Sequence, residues 1–199
     1  ELHSNVLDFA LYDCAACHHE LVIPSQRQER GYGGFAPGRP ALRYWTLPLV
    51  RLGLEVAKPD DNKTGRTTLE ALLSPLEAAT SDAPFGPPAA IHAAAQKVVA
   101  ELDKSIKSVA EKDLDAAGAK RILQQLCRIG SESPLDHDSA RQLASAIHVI
   151  AADPGDNLDA KILAATESLQ QSGKLGNSME FESDSFRAKL KELADALAP

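Results

Sequence analysis

The chain has 199 residues, a formal net charge of −7 and 44% hydrophobic but only 5% aromatic residues. That length fits one domain able to bury its own core, and the ordinary apolar fraction excludes wholesale disorder. The acidic balance argues against nucleic acid as a partner, since phosphate binding needs a basic face, and no run of about 18 apolar residues is present to span a membrane.

Residues 1–23 read as a helix, with Val6, Leu7, Phe9, Ala10 and Leu11 clustered around Asp8 and ahead of Asp13. Residues 24–47 hold Pro24, Gly31, Gly33, Gly34, Pro37, Gly38 and Pro40, with Pro48 just beyond. Breakers at that density predict a long loop without regular structure, a kind of segment that is usually functional. From about residue 66 the pattern is helical. Thr67 and Glu70 have the spacing of a capping box, opening a helix through Leu69, Leu72, Leu73 and Leu76. Pro87 and Pro88 suit the first turn of a long helix, whose apolar line is Ile91, Ala95, Val98, Leu102, Ile106 and Val109. Residues 115–129 carry Ala119, Ile122, Leu123, Leu126 and Ile129. Ser139 with Gln142 predicts a further cap, ahead of Leu143, Ile147 and Ile150. Leu158–Gln171 and Phe186–Leu197 complete the series. The expected class is all-α: a bundle of five to seven helices over 61–199, preceded by an attachment helix and its Pro/Gly/Arg-rich loop over 1–60, together one compact domain. No fixed repeat period is visible.

Charge is uneven. Between Leu21 and Lys58 six cations (Arg27, Arg30, Arg39, Arg43, Arg51 and Lys58) face Glu29 and Glu55, a net of +4 that leaves −11 for the remainder.

One short run stands apart: Cys14-Ala15-Ala16-Cys17-His18. C-x-x-C-H is the attachment signature of haem c. Cysteines three apart on a helix share a face, so their sulfurs reach two vinyl groups of one porphyrin, and His18 is placed to give its imidazole to the iron. The same residues also fit a structural zinc site, with three of the four ligands zinc needs, a dithiol, or two plain buried thiols. Zinc lacks a second C-x-x-C or H-x-x-x-H, and a thioredoxin-like dithiol would need a βαβ context. One covalent haem is the expected cofactor.

The surroundings of the motif, Tyr12-Asp13-Cys14-Ala15-Ala16-Cys17-His18-His19-Glu20-Leu21, then Pro24-Ser25, Arg27-Gln28, Gly31-Tyr32 and Pro37-Gly38-Arg39-Pro40, resemble multihaem, planctomycete-like bacterial c-type cytochromes over about the first 50 residues. The resemblance implies covalent haem, attachment outside the cytoplasmic membrane in the periplasm or another exported location, and electron transfer with redox partner proteins. In such cytochromes a second histidine after the motif serves a neighbouring haem. For His19 this would mean a haem domain or subunit beyond this sequence, because His18 and His19 cannot bind opposite faces of one iron.

For the distal iron ligand the candidates are Met179, the only methionine, and His3, His92 and His148. His137 lies in a polar turn and is expected to be solvated. Arg27, Arg30, Arg39 and Arg43 suit the haem propionates, while Tyr32, Phe35, Tyr44 and Trp45 could cover the porphyrin. The same basic loop could equally be plain solvated surface or could orient an anionic redox partner. Cys127 is left as one free thiol, expected to be buried. No nucleophile elbow, Walker loop or dinucleotide fingerprint is present, and Asp136 and Asp138 read as acids at a helix start. The chain therefore reads as an electron carrier rather than an enzyme. The alternatives are a haem sensor or gas-binding protein with an open sixth position, and a helical interaction module with a structural Cys/His site.

Overall fold

The computed structural model describes residues 12–13, 23, 25, 28, 41–42, 46–57, 64–81, 87–111, 115–132, 135–152, 160–171, 176 and 180–198. It is all-α. Among the described residues seven helices form: α1 (Leu47–Ala57), α2 (Thr64–Ser81), α3 (Pro88–Ala110), α4 (Ala116–Ser131), α5 (His137–Ala151), α6 (Ala160–Gln171) and α7 (Ser183–Ala196). Two strands of two residues each, β1 (Tyr12–Asp13) and β2 (Ala41–Leu42), pair antiparallel with Tyr12 opposite Leu42 and Asp13 opposite Ala41.

The helices make two apolar clusters. The larger gathers Leu123, Leu126 and Cys127 of α4, Leu143 and Ile147 of α5, Ile162 and Leu169 of α6, and Phe186, Leu190 and Leu193 of α7. Phe181, just ahead of α7, closes it beside Phe186, with ring centroids 6.2 Å apart. The smaller holds Leu54 of α1 with Leu69 and Leu73 of α2. Helix α1 belongs to both: Leu49, Leu52 and Val56 pack on the larger cluster, Leu47 and Val50 on the smaller. It packs against α2, α3, α4 and α5, and is the main bridge between α2–α3 and α4–α7.

Several sequence expectations are corrected. A helix over 1–23 is interrupted by extended backbone at Tyr12–Asp13, because its pairing partners lie 28 and 30 residues downstream, out of reach of any local periodicity. The loop over 24–47 contains regular structure. Ser25 and Gln28 form a reciprocal capping box (Ser25 N to Gln28 Oε1 2.9 Å, Gln28 N to Ser25 Oγ 3.2 Å) with Gln28 helical. No glycine or proline falls between residues 25 and 30 to prevent it. Helix α1 was hidden by Pro48, which sits in its first turn where a missing N–H costs nothing; Thr46 O instead accepts from Leu49 and Val50, each at 3.1 Å. Helix α2 starts at Thr64, so Thr67 and Glu70 lie inside it rather than at its cap. Pro75 is accommodated inside α2 on its exposed side, where water can serve the freed carbonyl.

The cap of α5 is Asp136, whose carboxylate accepts from Ser139 N at 2.7 Å; Asp115 caps α4 by the same bond to Gly118 N. Along α3 the expected apolar line is only half-buried, Ile106 is 63% exposed, and the buried positions are Ala94 and Ser105. Ser105 resolves its burial locally by donating to Glu101 O at 3.1 Å. By contrast Ala119, Ile122, Leu123, Leu126 and Ile129 are all buried as the periodicity requires.

At Gly130 α4 lies close against its neighbours, since a Cβ there would run into Leu143 and Leu190, both fully buried. Gly130→Ala is expected to destabilise the fold by about 1–3 kcal/mol through overpacking, despite alanine's better helix propensity. Chemical denaturation of the two proteins measures it.

Candidate functional site

Cys14, Cys17, His18 and His19 lie outside the described residues, as do His3, Arg27, Arg30, Tyr32, Phe35, Arg39, Arg43, Tyr44, Trp45 and Met179. The structure instead describes the strand that directly precedes the motif. The β1–β2 pair holds Asp13, which immediately precedes Cys14, opposite Ala41, which follows Arg39 and Pro40. Leu42 then leads through Arg43, Tyr44 and Trp45 into Thr46 and α1. Two segments that the sequence singled out separately are thus joined by backbone hydrogen bonds at their ends.

The described histidines differ in their surroundings. His137 is the first residue of α5 and only 14% of its side chain is exposed, correcting the expectation of a solvated turn. Its ring meets Phe181 edge-on at 5.7 Å and its Nδ1 lies 3.5 Å from Asp138 Oδ1, so apolar packing has drawn it in. His92 is half-buried on α3 and has no hydrogen-bond or ion-pair partner among the described residues. His148, half-buried in the last turn of α5, has a buried Nδ1 with no hydrogen-bond partner among the described residues. Among the described residues no group of three or more His, Cys, Asp or Glu is placed to hold a metal ion, and no helix is long and apolar enough to cross a membrane.

The strongest electrostatic feature was only half visible in the sequence. Arg51 and Glu55 of α1, Arg128 of α4 and Glu132 at its C-cap close a ring of ion pairs. Arg51 Nε meets Glu55 Oε1 at 3.0 Å, and Glu55 Oε2 meets Arg128 Nη2 at 2.6 Å. Arg128 Nη1 meets Glu132 Oε1 at 2.6 Å, and Glu132 Oε2 meets Arg51 Nη1 at 2.6 Å. Glu55 is 4% exposed and Arg51 12%, so charges of the inner half would be prohibitive unpaired. The signal was an Arg four residues before a Glu, twice, on two helices. Arg51 is therefore not part of a free basic surface. Because Glu55 leaves the tally with it, the net of +4 for that segment now rests on Arg27, Arg30, Arg39, Arg43 and Lys58 against Glu29.

The hydrogen bond from Arg51 holds the Glu132 carboxyl below its usual 4.5, against the opposing effect of burial. For Arg51, burial pulls the guanidinium down, but the bonds to Glu132 and Glu55 outweigh it and raise the group. Cys127 is fully buried as expected, and burial pushes its thiol up to about 12.

Comparison with protein families, with curated proteins and with solved structures finds no match to this chain.

Two outcomes follow. A carboxyl whose folded pKa is depressed contributes stability that is complete above its unfolded value and is lost as pH falls through the folded one. Unfolding free energy should therefore decline below about pH 4.5, and less so in Glu132→Gln. At neutral pH Arg51→Met should cost about 3 kcal/mol by leaving buried Glu55 short of a cation, and Arg128→Met, on the more exposed arginine, should cost less. Separately, Cys127 should resist an aromatic disulfide reagent at about pH 8 until the protein is unfolded, because only the thiolate attacks and the folded thiol does not ionise there.

Proposed function

We propose that this chain is a c-type cytochrome carrying one covalent haem and transferring electrons by Fe(III)/Fe(II) cycling. The observation that carries this reading is Cys14-Ala15-Ala16-Cys17-His18. Each thiol adds across one vinyl group, S to carbon and H to the neighbouring carbon, so no leaving group or oxidant is needed. His18 is the proximal ligand. Bound haem supplies one-electron chemistry; the chain's part is to fix axial ligands, limit water and set the local charge.

The β1–β2 pair supports the reading by holding the residue before Cys14 against the segment that runs from Arg39 to Trp45. Arg27 and Arg39 are assigned to the propionates, with Tyr44 and Trp45 covering the ring. The excess positive charge of this segment on an acidic protein suits an anionic redox partner, and His19 suits a neighbouring haem. Haem attachment of this type places the protein in the periplasm or an equivalent exported compartment.

The test is expression with haem-maturation machinery, followed by a pyridine haemochrome spectrum and mass spectrometry under denaturing conditions. A mass gain of one haem with a c-type α band is expected, falling to at most one thioether in Cys17→Ser. Metal analysis showing zinc and no covalent haem would overturn the proposal in favour of a structural Cys/His site.

A further inference from the structure

We infer that two copies of this chain pair through α3, antiparallel about a two-fold axis. Val99 and Ile106 form the centre of the contact, and Asp103 and Lys107 of one copy bond to Lys107 and Asp103 of the other. The inference stands on the described helices and does not depend on the haem reading.

Helix α3 packs on α1 and α2, and its two buried residues, Ala94 and Ser105, mark the direction of that packing. They are 11 residues apart in the sequence, close to three full turns, so they lie on one line of the helix. The large apolar residues do not centre on that line. Ile91, Val98, Leu102 and Val109 stand to one side of it and are half-buried. Val99 and Ile106 stand farther round in the same sense, about 120° from the line, and are 47% and 63% exposed. The apolar arc of α3 is thus covered at one edge and open at the other. A single exposed apolar side chain is ordinary. Val99 and Ile106, however, are two turns apart and stack as one stripe, which exposed Ala110 continues a turn later.

Charge makes this stripe complementary to itself. Asp103 and Lys107, one turn apart, border it on the side away from α1 and α2. Both are exposed, and neither has an ion-pair or hydrogen-bond partner among the described residues. Neighbouring Lys104, by contrast, is bonded to Glu101 at 3.1 Å. A second copy, turned about a two-fold axis that crosses α3 at the level of Ser105, runs antiparallel and keeps like flanks together. Ile106 then meets its own counterpart, Val99 meets Ala110 at either end, and Asp103 stands beside Lys107 of the other copy, twice. A parallel pair would set this flank against the half-buried edge that holds Leu102 and would leave all four charges without a partner. A contact made by one helix from each copy falls below the roughly 1,200 Å² of stable specific complexes, so the dimer is reversible and concentration-dependent.

The experiment is sedimentation velocity on the full chain over a range of concentrations, with circular dichroism to establish that each variant is folded. The wild type should pass reversibly from the 21.2 kDa monomer to a dimer as its concentration rises toward about 1 mM. Ile106→Glu puts a carboxylate at the centre of the contact in both copies and should weaken the dimer at least about tenfold. Asp103→Lys and Lys107→Asp should each be monomeric alone, because like charges then face each other across the axis, yet an equimolar mixture of the two should dimerise. A role for either residue within its own chain would not produce that rescue. A wild type that stays monomeric throughout, a dimer that survives Ile106→Glu, or a mixture of the two charge variants that fails to associate overturns the proposal. None of these outcomes bears on covalent haem, which the mass spectrum tests separately.

Discussion

A carboxylate with 4% of its surface exposed sits in the last turn of α1, and the architecture follows from how Glu55 is satisfied. Alone it would have to take up a proton or leave the interior. Both of its oxygens are instead held by guanidinium groups, one from its own helix and one from α4, and both arginines close on Glu132. Replacing such a ring by apolar side chains of equal volume is often neutral or stabilising, so its contribution lies in specificity. Sliding α1 along α4 by one turn would move Arg51 and Glu55 about 5.4 Å and leave the charges unmatched. The apolar residues of α1 would tolerate such a slip far better, because burial of leucine and valine is not directional.

That register is transmitted in both directions along the chain. On one side, Leu47, Val50 and Leu54 carry α2 and with it α3. On the other, only Arg43, Tyr44 and Trp45 separate Leu42 of the strand pair from Thr46. The pair in turn ends one residue before Cys14. Helix α1 is thus fixed by charge pairing as well as by packing.

What could be read from the sequence divides along the range of the forces involved. The buried faces of α4 and α5 were legible because Ile122, Leu123, Leu126, Leu143 and Ile147 repeat at helical spacing and meet one continuous core. Caps were read to within a few residues, but Asp136 was passed over for Ser139, whose N–H it accepts. Helix α1 was missed because Pro48 reads as a breaker when its place in the first turn is unknown. The strand pair and the ion ring were beyond local pattern. Their partners are 28 to 30 residues apart in the strand pair and 73 and 81 in the ring, and only packing brings them together. The five-letter motif remained the sharpest chemical signal, since it needs no tertiary context to be recognised.

The contrast between α3 and α4 shows how the chain divides local from tertiary stabilisation. Helix α4 includes Gly118 and Gly130, poor helix formers, and is secured by near-complete burial of one face; at Gly130 the absence of a side chain is what lets Leu143 and Leu190 close in. Helix α3 has the opposite economy. It is the longest helix described, buries only Ala94 and Ser105, and is rich in alanine, with seven in 23 residues. Alanine has the highest helix propensity, so α3 rests more on local backbone preference and less on one buried face than α4 does.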